Sequence, residues 1–164
     1  MDRWQNPTWR PGYGPLHIAA GVTLVGQEGV VLSGDRDRLE VQTEGVSLDS
    51  MHFPQGVEIK SGGSATMTKC TSTGLQITVG DSASRVLEDT RVFGYCGHHG
   101  ISNGLQCNCG KVQATRCIFE DNSECGVWVN GAKEAHASLY ARSYAPIELV
   151  DCVIRNNGHP EDAE

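Results

Sequence analysis

The sequence predicts an all-β chain wound as a single-stranded right-handed parallel β-helix, a solenoid of about six coils. Three observations carry this expectation. Short apolar-x-apolar triplets recur along the chain at near-regular spacing. A second, two-faced motif lies between them, and no apolar period of 3.6 residues persists anywhere.

The triplets are Leu16-His17-Ile18, Leu39-Glu40-Val41, Val57-Glu58-Ile59, Leu75-Gln76-Ile77, Ile101-Ser102-Asn103 and Val127-Trp128-Val129. From Leu39 onward the steps are 18, 18, 26 and 26 residues, and the last four triplets each follow a glycine (Gly56, Gly74, Gly100, Gly126). Glycine permits the positive φ needed for a sharp turn between short strands. The register predicts one inward column of Leu39, Val57, Leu75, Ile101 and Val127. The intervening motif is Val46-Ser47-Leu48 leading to Met51 and Phe53, and Ala65-Thr66-Met67 leading to Cys70. It recurs as Val112-Gln113-Ala114 leading to Cys117 and Phe119, and as Ile147-Glu148-Leu149 leading to Cys152 and Ile154. Alternation gives a strand with one buried face, and the break in parity before each cysteine marks a bend into the next strand. Leu87 and Val92 fit the first and bend positions of this frame. One corner column is then Met51, Cys70, Val92, Cys117 and Cys152, and Asn122 and Asn157 form a second column whose amides bond along the stack.

Length and composition fit one domain, with residues 15–158 as the solenoid. Residues 1–14 read as a cap over the first coil, and residues 159–164 as an acidic tail. Of 164 residues, 38% are hydrophobic, 6% aromatic and 20 are glycine, which suits many turns around small regular core layers. The formal net charge is −7. With no basic stripe to neutralise phosphates, a nucleic-acid partner is not expected. No apolar run approaches a membrane span, so no membrane partner is expected either. Seven cysteines, an odd number, in no disulfide-scaffold pattern read as mostly reduced and buried, which favours a cytoplasmic location.

The pattern Val112-x-Ala114-x-x-Cys117-x-Phe119-x-x-Asn122-x-x-x-Gly126-Val127-x-Val129 resembles the right-handed β-helix repeats of the pectin-lyase-like superfamily. The run from Gly14 to Gly26 resembles the first coil of such proteins, and so does Val30-Val31-Leu32-Ser33-Gly34. The resemblance covers roughly residues 14 to 158 and is specific for fold. It implies either a polysaccharide lyase, hydrolase or epimerase, or a non-catalytic module of the kind found in F-box and Shc-binding proteins. Fold alone does not choose among these.

The outward row of the triplets is where the resemblance implies a sugar groove. Alternation places Glu40, Glu58, Gln76, Ser102 and Trp128 on it, flanked by Gln42, Lys60, Thr78 and Asn130. Rungs about 4.8 Å apart bring Glu40 and Glu58 to the spacing of a glycosidase acid/base pair, and Trp128 suits stacking on a sugar ring. The competing reading is an ordinary solvated sheet face. The row carries no Asp and no acidic cluster with a basic partner. The leading expectation is therefore a non-catalytic scaffold that binds a protein or a glycan along this face, with no cofactor. Glu58, Gln76, Trp128 and the loop tyrosines Tyr140 and Tyr144 are its binding candidates. The alternative is a carbohydrate-active enzyme using Glu40 and Glu58. Cys96, His98 or His99, Cys107 and Cys109 make a conceivable four-ligand zinc set, but Cys-x-Cys spacing without a second pair favours no metal. The last motif, from Ile147 to Ile154, has no apolar triplet after it. An end-to-end homodimer, or a partner segment against the last coil, is expected to cover it.

Overall fold

The computed structural model describes residues 16–18, 20–27, 30–31, 39–73, 75–77, 83–94, 103–108, 110–130 and 147–158. The cap 1–14, the tail 159–164 and the loop tyrosines Tyr140 and Tyr144 lie outside them.

Among the described residues the chain is all-β, with seventeen short strands in six repeats. The first repeat has β1 (Leu16–His17) and β2 (Thr23–Val25). The second has β3 (Leu39–Val41), β4 (Val46–Asp49) and β5 (His52–Phe53), and the third β6 (Val57–Ile59), β7 (Ser64–Thr68) and β8 (Thr71–Ser72). The fourth has β9 (Leu75–Ile77), β10 (Ser84–Glu88) and β11 (Arg91–Phe93), and the fifth β12 (Leu105–Asn108), β13 (Lys111–Thr115) and β14 (Ile118–Glu120). The sixth has β15 (Val127–Asn130), β16 (Ile147–Val150) and β17 (Val153–Arg155). Every ladder is parallel. A first sheet runs β1-β3-β6-β9-β12-β15, a second β2-β4-β7-β10-β13-β16 and a third β5-β8-β11-β14-β17. Each repeat after the first thus adds one strand to each sheet in the same order, and the first reaches the third sheet by a bridge from Val31 to His52.

The three sheets share one core. The first contributes Leu39, Val41, Val57 and Ile59, the second Val46, Leu48, Met67 and Leu87, and the third Phe53, Val92 and Phe119. These are the alternate residues of each strand, so the period-two pattern and the burial agree.

Two register expectations are corrected. The fifth strand of the first sheet starts at Leu105, which pairs with Leu75 on one side and Val127 on the other. The column is therefore Leu39, Val57, Leu75, Leu105 and Val127; Ile101 and Ser102 lie outside the described residues, and Gln106 takes the outward place assigned to Ser102. In the second sheet Arg85 pairs with Ala65 and Val112, and Leu87 with Met67 and Ala114. Leu87 thus holds the middle position of the motif, and Arg85 stands at the inward first position. The corner column contains Thr90 in place of Val92, and Val92 pairs with Ser72 and Phe119 in the third sheet.

The turn from second to third sheet is built the same way in five repeats. Ser50, Lys69, Asp89, Arg116 and Asp151 all have φ between 49° and 56°. This left-handed kink reverses the alternation, and the ladder continues through it. Lys69 N donates to Glu88 O at 3.0 Å, and Asp89 N to Thr115 O at 3.1 Å. A side chain there costs about 1–2 kcal/mol relative to the right-handed region. Lys69→Gly is therefore expected to leave stability unchanged or raise it by up to about 1 kcal/mol, after the greater unfolded-state freedom of glycine is subtracted. The β-branched Lys69→Val should lower it by at least as much. Urea titration of both variants checks the sign.

The asparagine column stands as expected. Asn157 Oδ1 accepts from Asn122 Nδ2 at 2.9 Å and from Asn122 N at 3.1 Å, and Asn157 Nδ2 donates to Phe119 O at 3.0 Å. The left-handed residues are the ones just before, Asp121 and Asn156. Gly126 lies against this ladder, where a Cβ would meet Asn157 Nδ2 at 2.7 Å. Among the described residues Cys70, Cys117, Cys125 and Cys152 are in no disulfide, and Cys70, Cys107 and Cys117 are buried. No helix among the described residues is long and apolar enough to cross a membrane.

Candidate functional site

The outward row of the first sheet is set by strict register. Glu40 pairs with Glu58, Glu58 with Gln76, Gln76 with Gln106, and Gln106 with Trp128. The row thus runs from two carboxylates through the rungs of Gln76 and Gln106 to an exposed indole, with rungs about 4.8 Å apart.

The carboxylates are not left facing one another. Lys60 lies two residues beyond Glu58 on the same face, and its ammonium reaches back to Glu58 Oε1 at 2.8 Å and Glu40 Oε1 at 3.3 Å. The hydrogen bond to Glu58, and then the neighbouring charges, hold the Lys60 ammonium above its ordinary range. Gln42 Nε2 donates to Glu40 Oε2 at 3.1 Å. Glu58 is only 8% exposed although its position points away from the core. Glycoside hydrolysis needs the space between two carboxylates for the scissile bond or a water. Here an ammonium bridges that space, and the three groups together keep one net negative charge. Trp128, four rungs from Glu40, has its ring exposed.

The third sheet carries a second cluster that the sequence reading passed over. Glu120 on β14 is buried between Arg91 of the preceding repeat and Arg155 of the next. Arg91 Nε donates to its Oε1 at 2.5 Å and Arg155 Nε to its Oε2 at 2.7 Å. The Arg155 hydrogen bond, with that of Arg91, holds the Glu120 carboxyl below the usual range. The Arg91 guanidinium also lies 4.3 Å from the centre of the Phe93 ring. His52 stacks near Phe93, and its Nδ1 is 2.6 Å from Thr71 Oγ1. Charge-assisted bonds across three repeats bind the sheet together. Glu120 pairs directly with Arg155, whereas Arg91 sits two residues before Phe93, the other register partner of Glu120, and reaches Glu120 diagonally, so the cluster shows only once Arg85 and Leu87 are placed correctly in the frame.

At the adjoining corner Arg116 holds Asp89 through Nε at 2.7 Å and Nη2 at 2.9 Å, and reaches Glu88 at 2.6 Å. Asp89 is depressed chiefly by that hydrogen bond. Of the residues in the zinc reading, Cys107 is described: it faces the core, and its thiol donates to Gly110 O at 3.3 Å. Cys96, His98, His99 and Cys109 lie outside the described residues, among which no group of three or more potential ligands converges. Comparison with family models, curated proteins and solved structures finds no match to this chain.

Proposed function

We propose that the chain is a right-handed parallel β-helix domain of the pectin-lyase-like type, acting as a non-catalytic recognition scaffold for a protein or a glycan. Six repeats that feed three parallel sheets in unvarying order support the solenoid reading. The observation that carries the functional reading is the bridging of Glu40 and Glu58 by Lys60. It turns the candidate acid/base pair into a fixed surface. On the same row, amides and an exposed tryptophan offer what a sugar presents a use for: hydrogen-bonding groups beside an apolar stacking face. The ligand class favoured is therefore a glycan lying along Glu58, Gln76, Gln106 and Trp128. A cytoplasmic location belongs to this reading and draws on the free thiols.

A glycan-array screen run in parallel with a depolymerisation assay tests it. The expected result is binding without cleavage, weakened about tenfold or more by Trp128→Ala with the melting temperature unchanged. Cleavage abolished by Glu58→Gln would establish the enzyme alternative. Glycan binding indifferent to Trp128→Ala would move the ligand off this face.

A further inference from the structure

The bend between the second and third sheets carries a column of side chains whose members are fixed by register. Thr68 pairs with Glu88 and Thr71 with Arg91, which sets Cys70 against Thr90. Glu88 pairs with Thr115 and Arg91 with Ile118, which sets Thr90 against Cys117. Thr115 pairs with Val150 and Ile118 with Val153, which sets Cys117 against Cys152. Two cysteines thus stand on adjacent rungs. The ladder closes around them: Arg116 N donates to Val150 O and Val153 N to Cys117 O, each at 2.9 Å. The residues just before them, Arg116 and Asp151, share a φ of 53°, so the two chains bend alike and aim their Cβ atoms the same way.

The two thiols lie close together. Cys152 Sγ is 3.4 Å from Val150 O in its own repeat and 3.4 Å from Ala114 O in the fifth. Cys117 Sγ donates to Thr115 O, the next carbonyl of that same fifth-repeat strand, at 3.3 Å. Burial, and after it the charge and hydrogen bond of Cys152, push the Cys117 thiol up to about 11.

We propose that Cys117 and Cys152 are a disulfide-forming pair, reduced in the structure and closed by oxidation into a staple between the fifth and sixth repeats. Rungs about 4.8 Å apart put the two Cα atoms inside the roughly 4.4–6.8 Å that a disulfide spans. Cys70, the other cysteine of the column, is two rungs from Cys117, about 9.6 Å, beyond the limit of about 7 Å. Parallel Cβ atoms at the rung spacing stand about 1 Å farther apart than the disulfide mean of about 3.8 Å, so closure draws the rungs together. That strain makes the bond reducible, and the clasp reversible. The chemistry is thiol–disulfide exchange with a small disulfide such as oxidised glutathione. Half-buried Cys152, as the thiolate, attacks the oxidant and releases one glutathione thiol. Buried Cys117 then gives up its proton and attacks Cys152 Sγ, which releases the second. Two protein thiols are oxidised, one glutathione disulfide is reduced, and both protons leave on the released thiols. The closed loop takes in β14, β15 and β16, so the cross-link restrains the chain that leads through the last repeat.

The inference does not rest on the glycan reading. It is tested on the full chain equilibrated in glutathione redox buffers, quenched with acid, then unfolded, alkylated and mapped by mass spectrometry. Cleavage after Glu120 and Glu124 separates Cys117 from Cys125. The expected oxidised chain carries linked Cys117 and Cys152 peptides, melts several degrees above the reduced chain, and returns to it with dithiothreitol. Cys152→Ser should lose both the linkage and the redox dependence of the melting temperature. Cys152→Ala gives the same reading if the serine hydroxyl disturbs the corner. Cys125→Ser should keep both. The inference is overturned if Cys117 and Cys152 stay unlinked in every buffer in which the chain is folded, or link to other cysteines instead. A linkage that forms only after unfolding, an oxidised chain melting with or below the reduced one, or a redox shift that survives both Cys152 variants would also overturn it.

Discussion

Val57→Asp is expected to unfold the protein at neutral pH or bring it close to unfolding. Val57 is fully buried in the first sheet, paired with Leu39 and Leu75, and belongs to the core shared by all three sheets. The substitution removes apolar burial and places a carboxylate where it has no counter-charge and no water. Burying an unpaired ionised group costs more than the side chain can bear, so the new acid takes up a proton. A folded-state pKa raised above the unfolded value of about 3.9 means that the native state binds more protons between the two. The defect should therefore be smallest near pH 4 and grow as pH rises towards 7. A loss of several kcal/mol against a total of about 5–15 kcal/mol leaves little margin. Thermal melts of parent and variant at pH 4.5 and 7 read both the size and the slope. A variant melting with the parent at both values would show that position 57 does not face the core.

The features legible in the sequence were those written locally and repeated. Leu39-Glu40-Val41 and Val57-Glu58-Ile59 announce a two-residue period, and their 18-residue offset predicts the register that places Glu40 against Glu58. The fifth rung failed because two adjacent segments matched the same template. Gly100-Ile101-Ser102-Asn103 and Gly104-Leu105-Gln106-Cys107 both open on glycine, and only the second closes on a residue that packs as an apolar one. A buried thiol is the better core residue, as the placement of Cys107 bears out. The bridging of Glu40 and Glu58 was also within reach, since Lys60 shares their face by parity. Burial of Arg85 was not. Binary patterning reads arginine as outward, and that assumption displaced Leu87 and Val92 within the frame and hid the Arg91–Glu120–Arg155 network. The network exists only across three strands distant in sequence, so no local window contains it.

Arg85→Met is expected to stabilise the protein. Arg85 is 2% exposed at an inward position between Ala65 and Val112, and among the described residues none of its three guanidinium nitrogens has a hydrogen-bond partner. Burial pushes its pKa down to about 9, and the charges that act against this belong to the thiols of Cys70 and Cys107. A guanidinium loses several kcal/mol of hydration on entering such a core, and here no carboxylate returns it. Methionine has similar length, fills irregular space and needs no partner. Replacing buried charge by well-packed apolar volume gains about 1–4 kcal/mol where it has been measured in other proteins. In a chain of this size that raises the melting temperature by several degrees. The pH dependence gives an independent sign. A base whose folded pKa lies below its unfolded value leaves the unfolded state holding more protons, so the parent gains stability as pH rises above about 9. The advantage of Arg85→Met should accordingly shrink from pH 8 to pH 10. If the variant instead melts below the parent at pH 8, the guanidinium has a partner in solution, and the two neighbouring thiols are the first place to seek it.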